Sequence, residues 1–390
     1  MARFRSSFLL AVALLFGCGP VLAASTFAVG TCKPTLPSYS TISAAVAAVP
    51  AGSTVMVCPG TYPEQVTIAQ PLTLQGVSIG DSGQVIITVP PAGLSMNATS
   101  IRGTAIAAQV LVTASPVNIT NITVDGTGNN LNGSATPVGI FYGSGSSGVI
   151  NQVTTRNQVT VGVENSALGV GIWAENGNTT NDEVTIQSCS VHDFNEVGIT
   201  VVTNQTPSTL TAIIRGNNVS AVTATSFIFG IVINSVGNVT NNTVTGPGTV
   251  VFPHQGQGIT AEYPSPTVSN NTVTSWDSGI VDFEGATITA NTVLNTEVAV
   301  TLLSASGGTA NSNIISDTGF AIELDCNAHT AMHNSINDAG TGLNDVPSTF
   351  SSPNNFFNVQ TIRSGGCATA TPALSVGTKP EALTPRRFPI

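Results

Sequence analysis

Four near-copies of one motif follow each other between residues 271 and 343. They read Asn271-Thr272-Val273-Thr274 with Gly279-Ile280, Asn291-Thr292-Val293-Leu294 with Ala299-Val300, Asn313-Ile314-Ile315-Ser316 with Ala321-Ile322, and Asn334-Ser335-Ile336-Asn337 with Gly342-Leu343. In each copy an Asn leads a Val or Ile by two, and a small-aliphatic pair ends seven residues after that Val or Ile. Counted from Ile259, the aliphatic of the second pair recurs after 21, 20, 22 and 21 residues. Toward the N-terminus the same signals stand at Asn151/Val153, Asn217/Val219 and Asn242/Val244, and at Gly139-Ile140, Gly171-Ile172, Gly198-Ile199 and Gly230-Ile231. The steps there stretch to 32, 27, 32 and 28, which reads as loops inserted into one repeating coil.

The residue types decide what kind of coil this is. The segments are short, rich in Val, Ile and Thr, apolar at every second position, and broken by Gly and Asn. A helical solenoid is excluded. About 21 residues with three short strands describe one turn of a parallel β-helix, an all-β solenoid whose coils stack at strand spacing. The recurring Asn then occupies one corner in every coil, where it tolerates left-handed backbone and bonds to the Asn above and below. Cys189, two before Val191, falls in this column and reads as a ladder substitution with its thiol packed in the stack.

The ends of such a stack expose strand edges and core. Thr41 to Val49 has helical spacing, a Ser40 or Thr41 start and a Pro50-Ala51-Gly52 stop, and is expected to cap the N-terminal end. Strands are expected at Val55–Val57, Val66–Ile68 and Leu72–Leu74. The expected organisation is a signal peptide over 1–23, an N-terminal cap over 24–53, the β-helix over 54–345, and a C-terminal cap and tail over 346–390.

The leader reading rests on Arg3 and Arg5, the apolar run Phe8 to Phe16, and Val21-Leu22-Ala23 as a small-residue cleavage site. It predicts a secreted protein, extracellular, periplasmic or on the cell surface, with no transmembrane segment. Leu15-Phe16-Gly17-Cys18 also loosely resembles a bacterial lipoprotein signal, to which Phe16 is a poor fit. In an oxidising compartment Cys32–Cys58 and Cys326–Cys367 are expected disulfides.

Composition narrows function. Of 390 residues only 8% are charged, and Lys+Arg is 10 against Asp+Glu 20, a net charge of −10. Nucleic acid is excluded as a partner, because its phosphates would be repelled. With 41% hydrophobic residues and a mean hydropathy of +0.29, a disordered chain is excluded as well. No P-loop, dinucleotide fingerprint or calcium-binding Gly-Gly-x-Gly-x-Asp repeat is present.

The opening Ser40-Thr41-Ile42 … Pro50-Ala51-Gly52-Ser53-Thr54-Val55 … Pro59-Gly60-Thr61-Tyr62-Pro63-Glu64 … Pro71-Leu72-Thr73-Leu74-Gln75-Gly76 resembles the start of pectin-lyase-like β-helix proteins. Residues 118–345 resemble the coils of that superfamily. The resemblance implies a single-stranded right-handed parallel β-helix, an architecture shared by lyases, hydrolases, esterases, epimerases and non-catalytic surface proteins. No specific enzyme family is matched. Phe227-Ile228-Phe229-Gly230 resembles part of a pectin methylesterase motif, but Ser226 stands where the nucleophilic Asp belongs. The Asn-Thr-Asp and Gly-His-Gly elements of polygalacturonases are absent.

Between Arg215 and Arg363 there are ten acids and no Lys or Arg. A uronate lyase needs a base and a partner for the substrate carboxylate, so hydrolysis of a neutral glycan is favoured over elimination. With Ile259, Val281, Val300 and Ile322 aligned as inward residues, alternation stacks Glu262 on Glu284 with Asp282 beside them. Paired carboxylates of this kind suit glycoside hydrolysis. Trp173, Glu175, Trp276 and Tyr263 are the candidate substrate-binding side chains. Glu323 and Asp325 are candidate Ca²⁺ ligands, although no cofactor is required. Of the histidines, His329 and His333 are four apart, but in a turn region. The expected function is therefore polysaccharide binding, with or without hydrolysis, by a monomeric secreted protein. The alternative is a non-catalytic structural or adhesive surface protein.

Overall fold

The computed structural model describes residues 25–78, 83–160, 168–221, 227–248, 256–344 and 353–365. The expected signal peptide, most of 346–390, and the centres of the loops within 141–168 and 246–257 lie outside these residues.

Two long sheets run the length of the molecule. One holds 13 strands in the order of successive coils, from Thr26–Val29 and Ser53–Val57 to Thr309–Asn311 and Thr330–Met332. The other collects the remaining strands, two per coil, such as Thr243–Thr245 and Gln257–Ala261. Neighbouring coils pair in parallel and in register. Ile259 faces Ile280, which faces Val300, Ile322 and then Leu343. Only Ala98–Thr99 and Ala105–Val112 pair antiparallel among the described strands. Coils that pair in parallel and in register along both sheets make the fold a parallel β-helix.

Inside, single-residue columns of Val, Ile and Leu form one continuous core along the stack. The two sequence anchors prove to be one packing unit. A Cβ placed on Gly198, Gly230, Gly258 or Gly279 would lie 2.4–2.5 Å from Cγ1 of Val219, Val244, Val273 or Val293 respectively. The glycine of the bend leaves room for the valine of the following coil. From Thr292–Leu302 onward the two strands fuse into one of 9–11 residues, and Ala299 and Ala321 take over where the bend relaxes.

The corner ahead of each such valine is held by asparagine. Asn242 Oδ1 accepts from both the backbone N–H and Nδ2 of Asn217, each at 2.9 Å. The pattern repeats through Asn271, Asn291, Asn313 and Asn334 to Asn354. Each Nδ2 also donates to a carbonyl of the preceding coil, as Asn217 does to Ile186 O at 2.9 Å. Cys189 does occupy this column. Its N–H donates to Asn217 Oδ1 at 2.9 Å, and its thiol faces Ile150 O at 3.6 Å, where an Asn would place its amide. Burial pushes the Cys189 thiol up to about 12. Asn151 does not belong to the ladder. Register puts Val153 in the column, and Ile122 in the coil before it.

The N-terminal helix spans Ile42–Ala48 with Thr41 as its cap. Glu64 adds a second cap from outside, its carboxylate accepting from the N–H groups of Ile42 and Ser43 at 2.9 and 2.8 Å. Gln70 closes the other end on Val46 O and Val49 O. Cys32–Cys58 is a disulfide. Cys326 is also disulfide-bonded, and Cys367, its expected partner, lies outside the described residues. At the far end, Asn355–Arg363 still pairs with Ser335–Asn344 in coil register, so the solenoid continues past 345. No helix among the described residues is long and apolar enough to cross a membrane.

Candidate functional site

The expected carboxylate stack depends on which way Val281 points. Ile259 pairs with Ile280, not Val281. The Gly-aliphatic anchor Gly279-Ile280 sets this register, and a shift of one residue exchanges the two faces of a strand. Asp282 therefore faces inward and is fully buried. Its Oδ1 accepts the N–H groups of Glu284, Gly285 and Ala286 at 3.0, 2.9 and 2.9 Å, which turns the chain sharply out of the strand. Burial raises its pKa, against those three hydrogen bonds. Asp282 is a clip inside the corner, not an outward carboxylate beside Glu284.

The outward row at this edge of the sheet, one residue per coil, is Glu175, Val202, Asn234, Glu262, Phe283, Leu303 and Asp325. Glu262 is half-buried, and its Oε2 accepts from Asn234 Nδ2 at 3.0 Å. Its register neighbour is Phe283, also half-buried and solvent-facing. Glu284 follows Phe283 in the bend, and Tyr263 follows Glu262; both are partly exposed. Register thus sets Glu262 beside Phe283 on the adjacent coil, with Tyr263 and Glu284 the next residues along each chain and Asn234 on the coil before. Sequence reasoning missed Phe283 and Asn234. The Gly279-Ile280 anchor, used in place of Val281, would have found Phe283, and the Gly230-Ile231 anchor would have found Asn234.

The tryptophans lie elsewhere. Trp276 is buried in the core, where Gly230, Gly246 and Gly258 leave space for its indole. Its Nε1 donates to Val244 O at 3.2 Å. Trp173 is buried on the outer side of its sheet, edge-on to Phe141 at 5.3 Å. Ile101 packs against the same cluster. Neither indole is an exposed platform for a sugar. Glu175 is 2% exposed and accepts the Ile101 N–H at 2.9 Å. Burial, only partly offset by that bond and by Arg102, pushes its pKa up to about 8.

Glu323 is buried, at 6% exposure. Asp325 is committed to its own turn. Oδ1 accepts Asn327 N–H at 3.0 Å and meets His329 Nε2 at 2.5 Å, and Oδ2 takes Asn327 Nδ2 at 2.7 Å. His329 Nδ1 in turn accepts the Gly308 N–H at 2.8 Å. Among the described residues no group of three His, Cys, Asp or Glu side chains is placed to hold a metal ion. His333 sits at the left-handed corner position, φ +56°, exposed and apart from His329. Glu262 and Asp325 are three coils apart, roughly 14 Å at ~4.8 Å per coil, beyond the ~5–10 Å at which two carboxyls share a glycosidic bond.

No sequence-family model and no curated protein matches the chain. Solved structures do. GH136 lacto-N-biosidase from Eubacterium ramulus superposes with a TM-score of 0.50 at 10% identity, over 87% of this chain and 68% of that one. The A-module of mannuronan C-5 epimerase AlgE6 from Azotobacter vinelandii gives 0.44 at 16% identity, over 83% and 93%. Pectate lyase Pel9A gives 0.37 at 13%, over 89% and 78%. At these identities the likeness is one of architecture, and the chain is a parallel β-helix protein.

Proposed function

We propose that the chain is a secreted glycan-binding β-helix whose contact edge is built by Asn234, Glu262, Tyr263, Phe283 and Glu284. The observation that carries this reading is the partly exposed, outward-facing Phe283, beside Glu262 in coil register and followed in the chain by Glu284. A pyranose presents an apolar face and an equatorial rim of hydroxyls. The phenyl ring suits the face. Glu262 and Glu284 suit hydroxyl donors on the rim, and charge-assisted bonds of this type are the strong ones. The scarcity of cations in this half favours a neutral glycan over a polyuronate. The Cys32–Cys58 disulfide fits an oxidising, exported setting.

Of the three acids expected to act in catalysis, Asp282 serves the corner, which leaves Glu262 and Glu284 as the pair for hydrolysis. The test is retention of the mature chain on immobilised neutral and acidic polysaccharides, scored beside reducing-end release. Retention on neutral glycans, lost in Glu262→Gln, supports the reading. Release that disappears in both Glu262→Gln and Glu284→Gln adds hydrolysis to it. Release-free retention identifies a non-catalytic binder, and retention on no glycan contradicts the proposal.

A further inference from the structure

Residues 97–106 leave the stack as a short antiparallel hairpin. Its root is bonded twice over. Asn97 Nδ2 donates to Ala108 O, and Asn97 Oδ1 accepts the Ala108 N–H, each at 2.9 Å. Thr99 then faces Ala105. The tip, 100–104, closes on the Ser100 hydroxyl, which accepts the Arg102 and Thr104 N–H groups at 3.3 and 3.0 Å. This tip reaches two coils along, since Ala105–Val112 pairs with Thr136–Tyr142, and that strand with Val170–Asn176. There the Ile101 N–H donates to Glu175 Oε1 at 2.9 Å, and Ile101 packs on the apolar cluster outside the sheet that holds Phe141 and Trp173. Gly177 makes room for it: a Cβ there would lie 2.9 Å from Ile101 Cγ2.

One side of this contact is a buried acid. Glu175 Oε2 is enclosed with no hydrogen-bond partner among the described residues. The groups that face the carboxyl are the Ile101 N–H, the Arg102 guanidinium from the hairpin and the Trp173 indole from its own strand. On the following coil its register partner is Val202, and Ser144 and Asn204 flank the adjacent Gly177. None of these titrates near neutrality, so among the described residues Arg102 is the charge beside it. A neutral carboxyl suits such a place, because it accepts the N–H and needs no further hydration. A carboxylate does not, because one N–H and one cation on a long stem stand in for a full shell of water.

We propose that the 97–104 hairpin is a pH-operated strap, closed over the outer apolar cluster while Glu175 is protonated and released at its tip when Glu175 ionises. Release lets water reach the carboxylate while Asn97 holds the root in place. Closed and open forms then hold the Glu175 proton differently. In the closed form burial pushes the carboxyl up to about 8. In the open form it returns toward the ordinary glutamate range. The closed form is therefore fully favoured below that ordinary range and loses ground as pH rises through it to about 8, by up to about tenfold per pH unit. Glu175 stands three coils from Glu262 in the outward row, so the strap does not depend on the glycan-binding reading.

Trypsin reads the tip directly, because it cuts after Arg102. The native chain and Glu175→Gln, which keeps the accepting oxygen and cannot ionise, are digested side by side at pH 8.5. The expected result is cleavage after Arg102 at least roughly tenfold faster in the native chain, with Arg156 and Arg215, both inside strands, uncut in each. Equal rates after Arg102 overturn the proposal. So does cleavage there that appears only together with cleavage at Arg156 and Arg215, the mark of global unfolding. A second readout covers acid pH, where trypsin is idle. Trp173 and Trp276 are the two tryptophans of the chain, so Trp276→Phe leaves Trp173 as the reporter. Its quenching by acrylamide should rise from pH 5 to pH 9 and stay flat when Glu175→Gln is added. A flat profile in both proteins, or an equal rise in both, overturns the proposal.

Discussion

Cys189 shows what one column of the ladder asks of a residue: a small buried group that points at the carbonyl one coil back and leaves its own N–H for the next amide. Asn meets both demands and adds an acceptor. Asn271→Ala should strand the Asn242 N–H and the Val239 carbonyl, both buried. We expect a loss of about 2–4 kcal/mol in denaturant unfolding. Asp282 allows a sharper contrast. Asp282→Ala orphans three N–H groups and should cost about 2–4 kcal/mol. Asp282→Asn keeps the accepting oxygen and removes a buried ionisable group, so it should be neutral or stabilising at pH 7. If the two variants melted together, the clip would not be the residue's role. The one-residue slip at Val281 belongs to this scale as well. Val281 and Ile280 are both aliphatic, and only the preceding glycine tells which faces the core.

At the level of the element, the bend glycine and the valine of the next coil form one unit. Gly258→Ala drives a methyl to 2.5 Å from Val273 Cγ1. Overpacking should cost roughly 1–3 kcal/mol, and Val273→Ala in the same chain should recover part of it. Non-additivity in that double-mutant cycle is the signature of contact, and simple additivity would contradict it. The coil period, the ladder corner and the bend were all legible in the sequence, because each is imposed by a backbone position that few residues fit. The Asn151 assignment failed where the ladder turns to hydrocarbon, since Ile122 and Val153 look like ordinary strand residues. Trp173 and Trp276 failed for another reason. A strand's alternation tells inward from outward, but not whether other parts of the chain cover the outward side, and the glycines around Trp276 come from the two coils before its own. The Gly-Thr-Tyr-Pro-Glu stretch read as a family signature. Its glutamate caps the N-terminal helix, a long-range contact that no local pattern reveals.

Across the whole molecule the balance of charge is set by burial. Glu175 and Glu196 are both enclosed, and desolvation pushes each carboxyl up to about 8. The folded state therefore holds protons that the unfolded chain releases above the ordinary glutamate range near 4.5. Between those values stability falls as pH rises. Melting temperature should drop from pH 5 to pH 8, and Glu175→Gln or Glu196→Gln should each flatten that slope. An unchanged slope in both would rule out their burial as its cause. Reduction of Cys32–Cys58, which closes a loop of 26 residues, should cost about 3–4 kcal/mol by chain entropy and should loosen the N-terminal cap first. The proposed glycan edge was only half legible at this scale. Glu262, Tyr263 and Glu284 were in the sequence reading, but Phe283 as the outward neighbour of Glu262 comes from register, which is a property of the stack. The affinity of wild type and Phe283→Ala for the best-retained neutral glycan tests that edge most directly. The account predicts a loss of at least roughly tenfold, about 1.4 kcal/mol, with the melting temperature unchanged; equal affinity in the two proteins would contradict it.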